Sequence, residues 1–184
     1  MPLCNSSCLT TLEKHVTQSC GIVGKKGGIN KIIITKCDTV FSDITDLAEW
    51  AALIASGDIV ATEEVLGQKP KGSFTKKRFG SCSPESVIAG EQSITFIDYN
   101  TDENGGQQEF IFWNSILEDS SKFQVGYLTC EGLFVGFIPT FSIEVGDTME
   151  DNQNGSWQIE GTITWQSKLM EVPYLIPGLA ALFA

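Results

Sequence analysis

The β architecture is set by two alternating segments, Phe141-Ser-Ile-Glu-Val145 and Trp157-Gln-Ile-Glu-Gly-Thr-Ile-Thr-Trp165. Successive side chains of a strand point to opposite faces, so each segment predicts a strand with one apolar face and one polar or acidic face. Residues 146–156 between them contain the turn signal Asn154-Gly155. We therefore predict a long β-hairpin within residues 141–168, with a connecting loop long enough to act as a contact arm.

Upstream, a β-branched run and a helical pattern predict the first strand and the first helix. Asn30–Lys36 is rich in isoleucine and predicts a core strand. Asp46 followed by Glu49 resembles a capping box, and the apolar residues Leu47, Trp50, Ala51 and Ile54 have helical spacing. We predict a helix over residues 45–56 that packs on a sheet.

The remaining segments complete a mainly β (α+β) prediction. We expect strands at 58–62, 75–79 and 93–99, a hairpin of 122–129 with 133–137, and a second helix at 109–119. The predicted fold is a β-sandwich or partly closed barrel with one or two packed helices and long hairpin arms. Residues 1–29 are expected to form an N-terminal arm, and residues 30–184 a single sandwich-like domain with an apolar C-terminal tail.

The composition describes a globular chain with an uneven charge. Of its 184 residues, 42% are hydrophobic and 19% charged, and the net charge is −11. Residues 1–82 hold ten Lys/Arg and eight Asp/Glu, a balance of +2, whereas residues 83–184 hold two and fifteen, a balance of −13. Binding a nucleic-acid backbone by charge neutralisation requires the opposite sign.

Five of the twelve cations lie between residues 64 and 82, in a segment broken by glycine and proline. A solvated charged face is one interpretation. The other is that this positive loop docks on the acidic half of a second subunit, because opposite charges on two ends of a molecule favour head-to-tail stacking. The predicted contact residues are Lys76, Lys77, Arg78, Asp147, Glu150, Asp151, Tyr174, Leu175 and Ile176.

Most catalytic and metal patterns fail on the residues present. His15 is the sole histidine and has no nucleophile signature around it. The set Cys4, Cys8, His15 and Cys20 lacks the spacing of common zinc modules. Residues 21–28 are glycine-rich, but they lack the Gly-Lys-Ser/Thr ending of a phosphate-binding loop. We therefore predict a protein that is not an enzyme and holds no cofactor.

A calcium loop is the remaining metal candidate. Asp98, Asn100, Asp102 and Glu109 occupy positions 1, 3, 5 and 12 of a twelve-residue segment, as in an EF-hand. Glu103 stands where that motif requires glycine, and a strand precedes the segment instead of a helix. An ordinary turn also explains these Asp and Asn residues.

We expect neither a signal peptide nor a membrane span, because the first residues lack a basic start followed by an apolar core and the longest apolar runs are too short for a bilayer. Without an export signal, we expect the six cysteines to be reduced, buried or incidental thiols, and the even count still permits disulfides.

The pattern resembles the major tail tube proteins of long-tailed bacteriophages and the tube proteins of contractile injection systems. The residues that carry the resemblance are Lys31–Lys36, Asp46–Ser56, Ser73–Phe79, Phe141–Gln166 and Pro173–Phe183. The likeness is one of architecture over most of the chain, and no diagnostic motif accompanies it. The six cysteines and the N-terminal arm depart from the family pattern.

The resemblance implies a virion protein made in the host cytoplasm. It implies copies that assemble into stacked, hexameric rings, acidic side chains that line a channel for DNA, and contacts with other tail proteins. Two alternatives stay open. One is another virion component, such as a tail terminator, a head-completion protein or a capsid decoration protein. The other is a calcium-dependent carbohydrate-binding or surface-binding β-sandwich that uses Trp157, Trp165 and Tyr174.

Overall fold

The computed structural model describes residues 27–82, 84–99, 107–149 and 157–183. Most of the predicted N-terminal arm and the zinc candidates therefore lie outside the described residues. So do Asn100 and Asp102 of the predicted calcium loop, and Glu150 and Asp151 of the predicted contact set.

The described residues form ten strands, three α-helices and a short 3-10 turn. In chain order the elements are β1 (Ile29–Lys36), α1 (Leu47–Ala55), β2 (Ile59–Ala61), β3 (Val65–Gln68), β4 (Ser73–Lys77), β5 (Ser86–Tyr99), α2 (Gln107–Glu118), the 3-10 turn Ser120–Lys122, β6 (Phe123–Thr129), β7 (Leu133–Ile138), β8 (Ser142–Met149), β9 (Trp157–Gln166), β10 (Tyr174–Leu175) and α3 (Leu179–Leu182).

All strand pairs are antiparallel and belong to one sheet, in the order β10-β7-β6-β1-β3-β5-β9-β8, with β2 beside β1 and β4 beside β5. The mainly β prediction is confirmed, and the sheet does not close into a barrel. Within the described residues, β1 meets β3 through the single pair Ile29 and Gly67. This junction divides the sheet into a covered half-sheet (β10, β7, β6, β1 and β2) and an open half-sheet (β3, β4, β5, β9 and β8).

The predicted long hairpin is present as β8 and β9. Ile143 lies opposite Ile163, and Val145 lies opposite Gly161. Strand β8 continues to Met149, farther than the alternating pattern predicted, and the loop after it lies outside the described residues. The alternation therefore identified both strands and the face that each one buries.

A first core lies between the two half-sheets. Its side chains come from β1, β6 and β7 of the covered half-sheet and from β5 and β9 of the open half-sheet, and helix α2 adds Trp113 and Ile116. The ring of Trp113 stacks on Phe96 with centroids 4.7 Å apart. The two half-sheets thus face each other as the layers of a sandwich do.

A second core covers the opposite face of the covered half-sheet. Trp50 of α1 is fully buried there, and its ring meets Phe134 of β7 edge-on at 4.9 Å. Leu179 of α3 and Ile176 before it are also buried in this core. The covered half-sheet is therefore packed on both faces, by the first core and by helices α1 and α3.

The predicted first helix is confirmed, with a different capping arrangement. Asp46 is the N-cap, and its carboxylate accepts a hydrogen bond from the Ala48 amide at 2.9 Å. The Glu49 carboxylate instead accepts from the amides of Ser42 and Asp43, at 2.7 Å and 3.0 Å, upstream of the cap. Glu49 therefore fixes the incoming loop.

No helix in the described part of the chain is both long and apolar enough to cross a bilayer.

Candidate functional site: an open acidic sheet face

The outer face of the open half-sheet carries rows of polar side chains. One row runs across four strands, from Glu144 of β8 through Thr162 of β9 and Thr95 of β5 to Gln68 of β3. These residues alternate along their strands with the buried side chains of the first core. The face borders an open groove of about 1240 Å³. Within the described residues, no helix or second layer covers it.

The charge of this face is negative. Glu144 and Glu160 are exposed beside the groove, and Glu91 lies on the same face farther along β5. Glu160 accepts a hydrogen bond from the Gln158 side chain at 2.7 Å, which holds its carboxylate on the face. Lys69 lies at the margin, but its ammonium group is bound to Glu171 and does not neutralise the face. The arrangement can repel an anion such as a phosphate backbone.

Strand β8 ends the sheet with a free edge. It is eight residues long, and in the described part of the chain it pairs with β9 alone. At the opposite margin of the open half-sheet, β4 pairs with β5 alone among the described strands. Unpaired amides and carbonyls at such edges can pair with another strand. The open half-sheet therefore has an available edge on each side.

The predicted cationic contact residues lie on a projecting hairpin. Lys76 and Lys77 are in β4, and Arg78 follows directly. All five residues of β4 are exposed, as are the first three of β5. Among the described residues, no ion pair engages these three cations, although the Lys77 ammonium lies 5.7 Å from the Phe79 ring centroid.

The C-terminal contact prediction divides into two groups. Tyr174 and Leu175 are exposed, on the short edge strand β10. Ile176 is 2% exposed and packs in the second core, so the chain covers this side chain itself. The prediction that Ile176 contacts another subunit is therefore replaced by a role in the core.

The predicted calcium loop has two members in the described residues, and they do meet. Asp98 and Glu109 line a cavity of about 260 Å³ between β5, α2 and the segment after β2, where Glu63 also lies. Asp98 is 3% exposed and accepts a hydrogen bond from the Trp113 indole at 3.0 Å. Burial raises the pKa of Asp98, against the Trp113 hydrogen bond, and the charge of Glu63 raises it further. No group of three or more His, Cys, Asp or Glu side chains is placed to hold a metal in the described part of the chain.

The aromatic residues that a carbohydrate site would use do not converge. Trp165 is buried in the first core, whereas Trp157 lies at the opposite end of β9, and Tyr174 lies on β10 in the covered half-sheet. Stacking against a sugar requires exposed rings on a common surface. These three positions therefore give no support to a carbohydrate site.

A clasp that the sequence did not predict joins the connection between β3 and β4 to the segment that follows β9. Lys69 forms an ion pair with Glu171 and lies 5.1 Å from the Trp165 ring centroid, while the Trp165 indole donates to Glu171 at 2.7 Å. Burial opposes ionisation of Glu171, but the bonds from Lys69 and Trp165 prevail and lower the pKa of its carboxyl group. Lys69 precedes Trp165 by 96 positions and Glu171 by 102 positions, so no local pattern could reveal the contact.

The described cysteines Cys37, Cys82 and Cys130 are free and exposed. No disulfide joins these three, and their exposure differs from the expectation of buried thiols.

These features define a mainly β protein in which, among the described residues, an open acidic sheet face lies between two unpaired strand edges. The chain matches no protein-family model, and it has no significant match among curated proteins. Its function must therefore be inferred from this geometry.

Proposed function

We propose that the protein is a structural subunit of a bacteriophage tail tube. Copies join side by side into rings, the rings stack, and the acidic face lines the channel through which DNA passes. The observation that carries the proposal is the open acidic sheet face with a free edge on each side. The protein acts by assembly and not by catalysis.

Ring formation follows from the two free edges. A cyclic arrangement places β8 of one copy beside the β4 margin of the next, which satisfies backbone groups that a monomer leaves exposed. Closed rings of identical subunits leave no edge unpaired, whereas an open arrangement continues to add copies. In such a ring the polar faces line the channel, and the half-sheet covered by α1 and α3 forms the outer wall.

The charge of the channel suits transport of DNA. Glu144 and Glu160 of every copy would face the duplex across the channel, with Thr95 and Thr162 between them. Tight DNA binding depends on neutralising phosphates with Lys and Arg, and an acidic wall does the reverse. DNA would therefore slide along this surface without adhering to it.

Assembly of the purified full chain tests the proposal. Size-exclusion chromatography with light scattering should give species of ring mass or larger at high protein concentration. Negative-stain images should show rings with a central hole. A strictly monomeric protein at high concentration would contradict the proposal. Rings that never stack would instead favour a tail terminator or a head-completion protein.

A further inference from the structure

The two ends of the open half-sheet have opposite charges. One end is the hairpin formed by β4, the start of β5 and the described residues between them (78–82, 84 and 85), which we call the basic arm. Lys76, Lys77 and Arg78 lie on it without ion pairs among the described residues.

The basic arm also exposes apolar side chains. Phe79 is 70% exposed, and three further residues of the arm are between 37% and 40% exposed: Phe74, Val87 and Ile88. Residues 167–173, which we call the strap, connect β9 to β10 and expose Leu169 and Met170 at 77% and 85%. Val87 and Ile88 are consecutive in β5, so they point to opposite faces of the arm, and apolar side chains are exposed on both of these faces. Exposed apolar surface of this kind marks an interaction site.

The strap begins at the base of the basic arm, so the two form one surface. The Ser167 amide donates to the Gly90 carbonyl at 2.9 Å, and Leu169 is tied back to the Ser167 side chain at 3.2 Å. The ion pair of Lys69 with Glu171 holds the middle of the strap against the residues that lead into β4. Lys168 adds a further cation to this surface.

The other end of the open half-sheet is acidic. Asp98, near the end of β5, lies opposite Val65, the first residue of β3. Glu63 and Glu64 directly precede Val65, so they lie at the same end of the sheet as Asp98. Asp147 of β8 reaches the same level through its pairing with β9. We call this the acidic end, and its exposed apolar residues are Tyr99 (43%), Met149 (67%) and Trp157 (42%).

The two ends lie at opposite extremes of the sheet. Lys77 is paired with Ser86 at the start of β5, and Asp98 lies twelve residues farther along the strand. At roughly 3.3 Å per residue, the ends are about 40 Å apart. The basic arm therefore cannot reach the acidic end of its own chain.

We propose that the basic arm and the strap dock on the acidic end of a second copy. This inference rests on the proposed function, and it assigns the contact between successive rings to these two surfaces. Each surface offers exposed apolar groups beside charges of one sign, and the signs are opposite. Head-to-tail contact covers both apolar surfaces and pairs both sets of charges. An anionic lipid surface would match the basic arm alone and would leave the acidic end unpaired.

Charge reversal tests the docking. The arm variant Arg78→Glu/Lys168→Glu and the end variant Glu64→Lys change exposed residues on the two surfaces, outside the edge strands β4 and β8 that join copies into rings. Each variant alone should form rings but require at least about tenfold more protein to stack, because like charges then face each other. Stack length in negative-stain images and mass by light scattering measure the effect.

Mixing the two variants supplies the decisive comparison. The reversed arm of one variant is complementary to the reversed end of the other, and their unchanged surfaces are complementary as well. An equimolar mixture should therefore stack again, with the two variants alternating. Variants that stack as the natural chain does, or a mixture that stays unstacked while each variant forms rings, would overturn the proposal.

A single apolar replacement tests the strap separately. Met170→Ser should shorten stacks without changing urea unfolding, because its side chain is 85% exposed within one copy. Val40→Ser is the matched control, since Val40 is 81% exposed on the connection between β1 and α1, outside both surfaces. Equal stacking of both serine variants and the natural chain would exclude the strap from the contact.

The natural chain separates failure of this inference from failure of the proposed function. Rings that do not stack would contradict the docking inference and leave the proposed ring formation intact. Linear head-to-tail chains without rings would support the docking inference and contradict the proposed tube. A monomer at every concentration would contradict both proposals.

Discussion

The covered and open half-sheets bury different fractions of their side chains. In β1, the consecutive residues Ile32, Ile33 and Ile34 are all buried, at 0%, 0% and 4% exposure. In β9, Ile159 and Ile163 are buried at 1% and 0%, while Glu160 between them is exposed. A strand that is covered on both faces is apolar throughout, and a strand that is covered on one face alternates.

The difference separates stability from function within one sheet. Both cores depend on the covered half-sheet, so its side chains have little freedom to change. The outer face of the open half-sheet contributes little burial, and its residues can be selected for charge. A channel wall or any other polar contact surface is therefore placed most readily on the open half-sheet.

The largest effect is expected from removing an aromatic ring from the second core. Trp50→Ala should lower the free energy of unfolding by about 3–5 kcal/mol, since the ring is fully buried. It also loses packing against Phe134 and the hydrogen bond from its indole to the Ile44 carbonyl at 2.8 Å. Urea unfolding followed by circular dichroism measures the loss.

Trp157→Ala is the matched control on the open half-sheet. The Trp157 side chain is 42% exposed, although its ring packs on Phe110 at 5.2 Å and its indole donates to Asp147 at 3.1 Å, so the same truncation should cost less than the loss at Trp50 because part of the ring already lies in water. Equal losses for the two variants would contradict the distinction between the half-sheets.

A smaller, pH-dependent effect is expected at Asp98, a carboxyl group on the buried face of the open half-sheet. Because its pKa in the folded chain is raised above the ordinary 3.8, the folded state binds this proton more tightly than the unfolded state. The stabilisation is complete below pH 3.8 and is lost as the pH rises through the folded-state pKa. At neutral pH, the ionised group opposes folding.

Asp98→Asn removes this titration and keeps an oxygen that can accept from Trp113. The variant should be at least as stable as the natural chain at pH 7. As the pH falls toward 4, the free energy of unfolding of the natural chain should rise relative to that of the variant. Urea midpoints of both proteins across pH 4–8 give the difference, in which the shared titrations cancel. A constant difference over that range would show that burial of Asp98 has no influence.

The smallest effect on stability is expected from charge reversal on the outer face of the open half-sheet. The same change should have a clear effect on DNA binding. Glu144→Lys/Glu160→Lys should change the free energy of unfolding by no more than about 1 kcal/mol, because both side chains are exposed. The assembled variant should bind duplex DNA at low salt in a mobility-shift assay, and the natural assembly should not. Asp38→Lys/Glu118→Lys makes the same charge change elsewhere on the surface. Equal DNA binding by the two variants would remove the special role of this face.

The elements with strong local periodicity could be predicted from sequence. The β8–β9 hairpin, helix α1 and helix α2 are all found close to their predicted bounds. Strand β5 begins at Ser86, seven residues before its predicted start, because β4 pairs with that extension. Strand β3 was missed, since a four-residue strand with Gly67 at its centre has too little periodicity to recognise.

The candidate site was predicted in its composition but not in its arrangement. The acidic, alternating character of β8 and β9 indicated a polar face, and the excess of cations indicated the basic arm. The row from Glu144 to Gln68 depends on the pairing of strands that are far apart in sequence. The burial of Ile176 depends on α3 closing over the second core, which the proline-broken tail did not indicate.

By itself, the amino-acid sequence determined the longer strands and the two longer helices, and which side of each alternating strand avoids water. These properties follow from side-chain alternation, helical spacing and capping, which act over a few residues. The tertiary structure alone decided that no other described element covers the acidic face, and that Lys69 reaches Glu171 and Trp165. It also placed the charged ends about 40 Å apart along β5. Those relations arise from long-range strand pairing and core packing, which bring together residues that no local pattern connects.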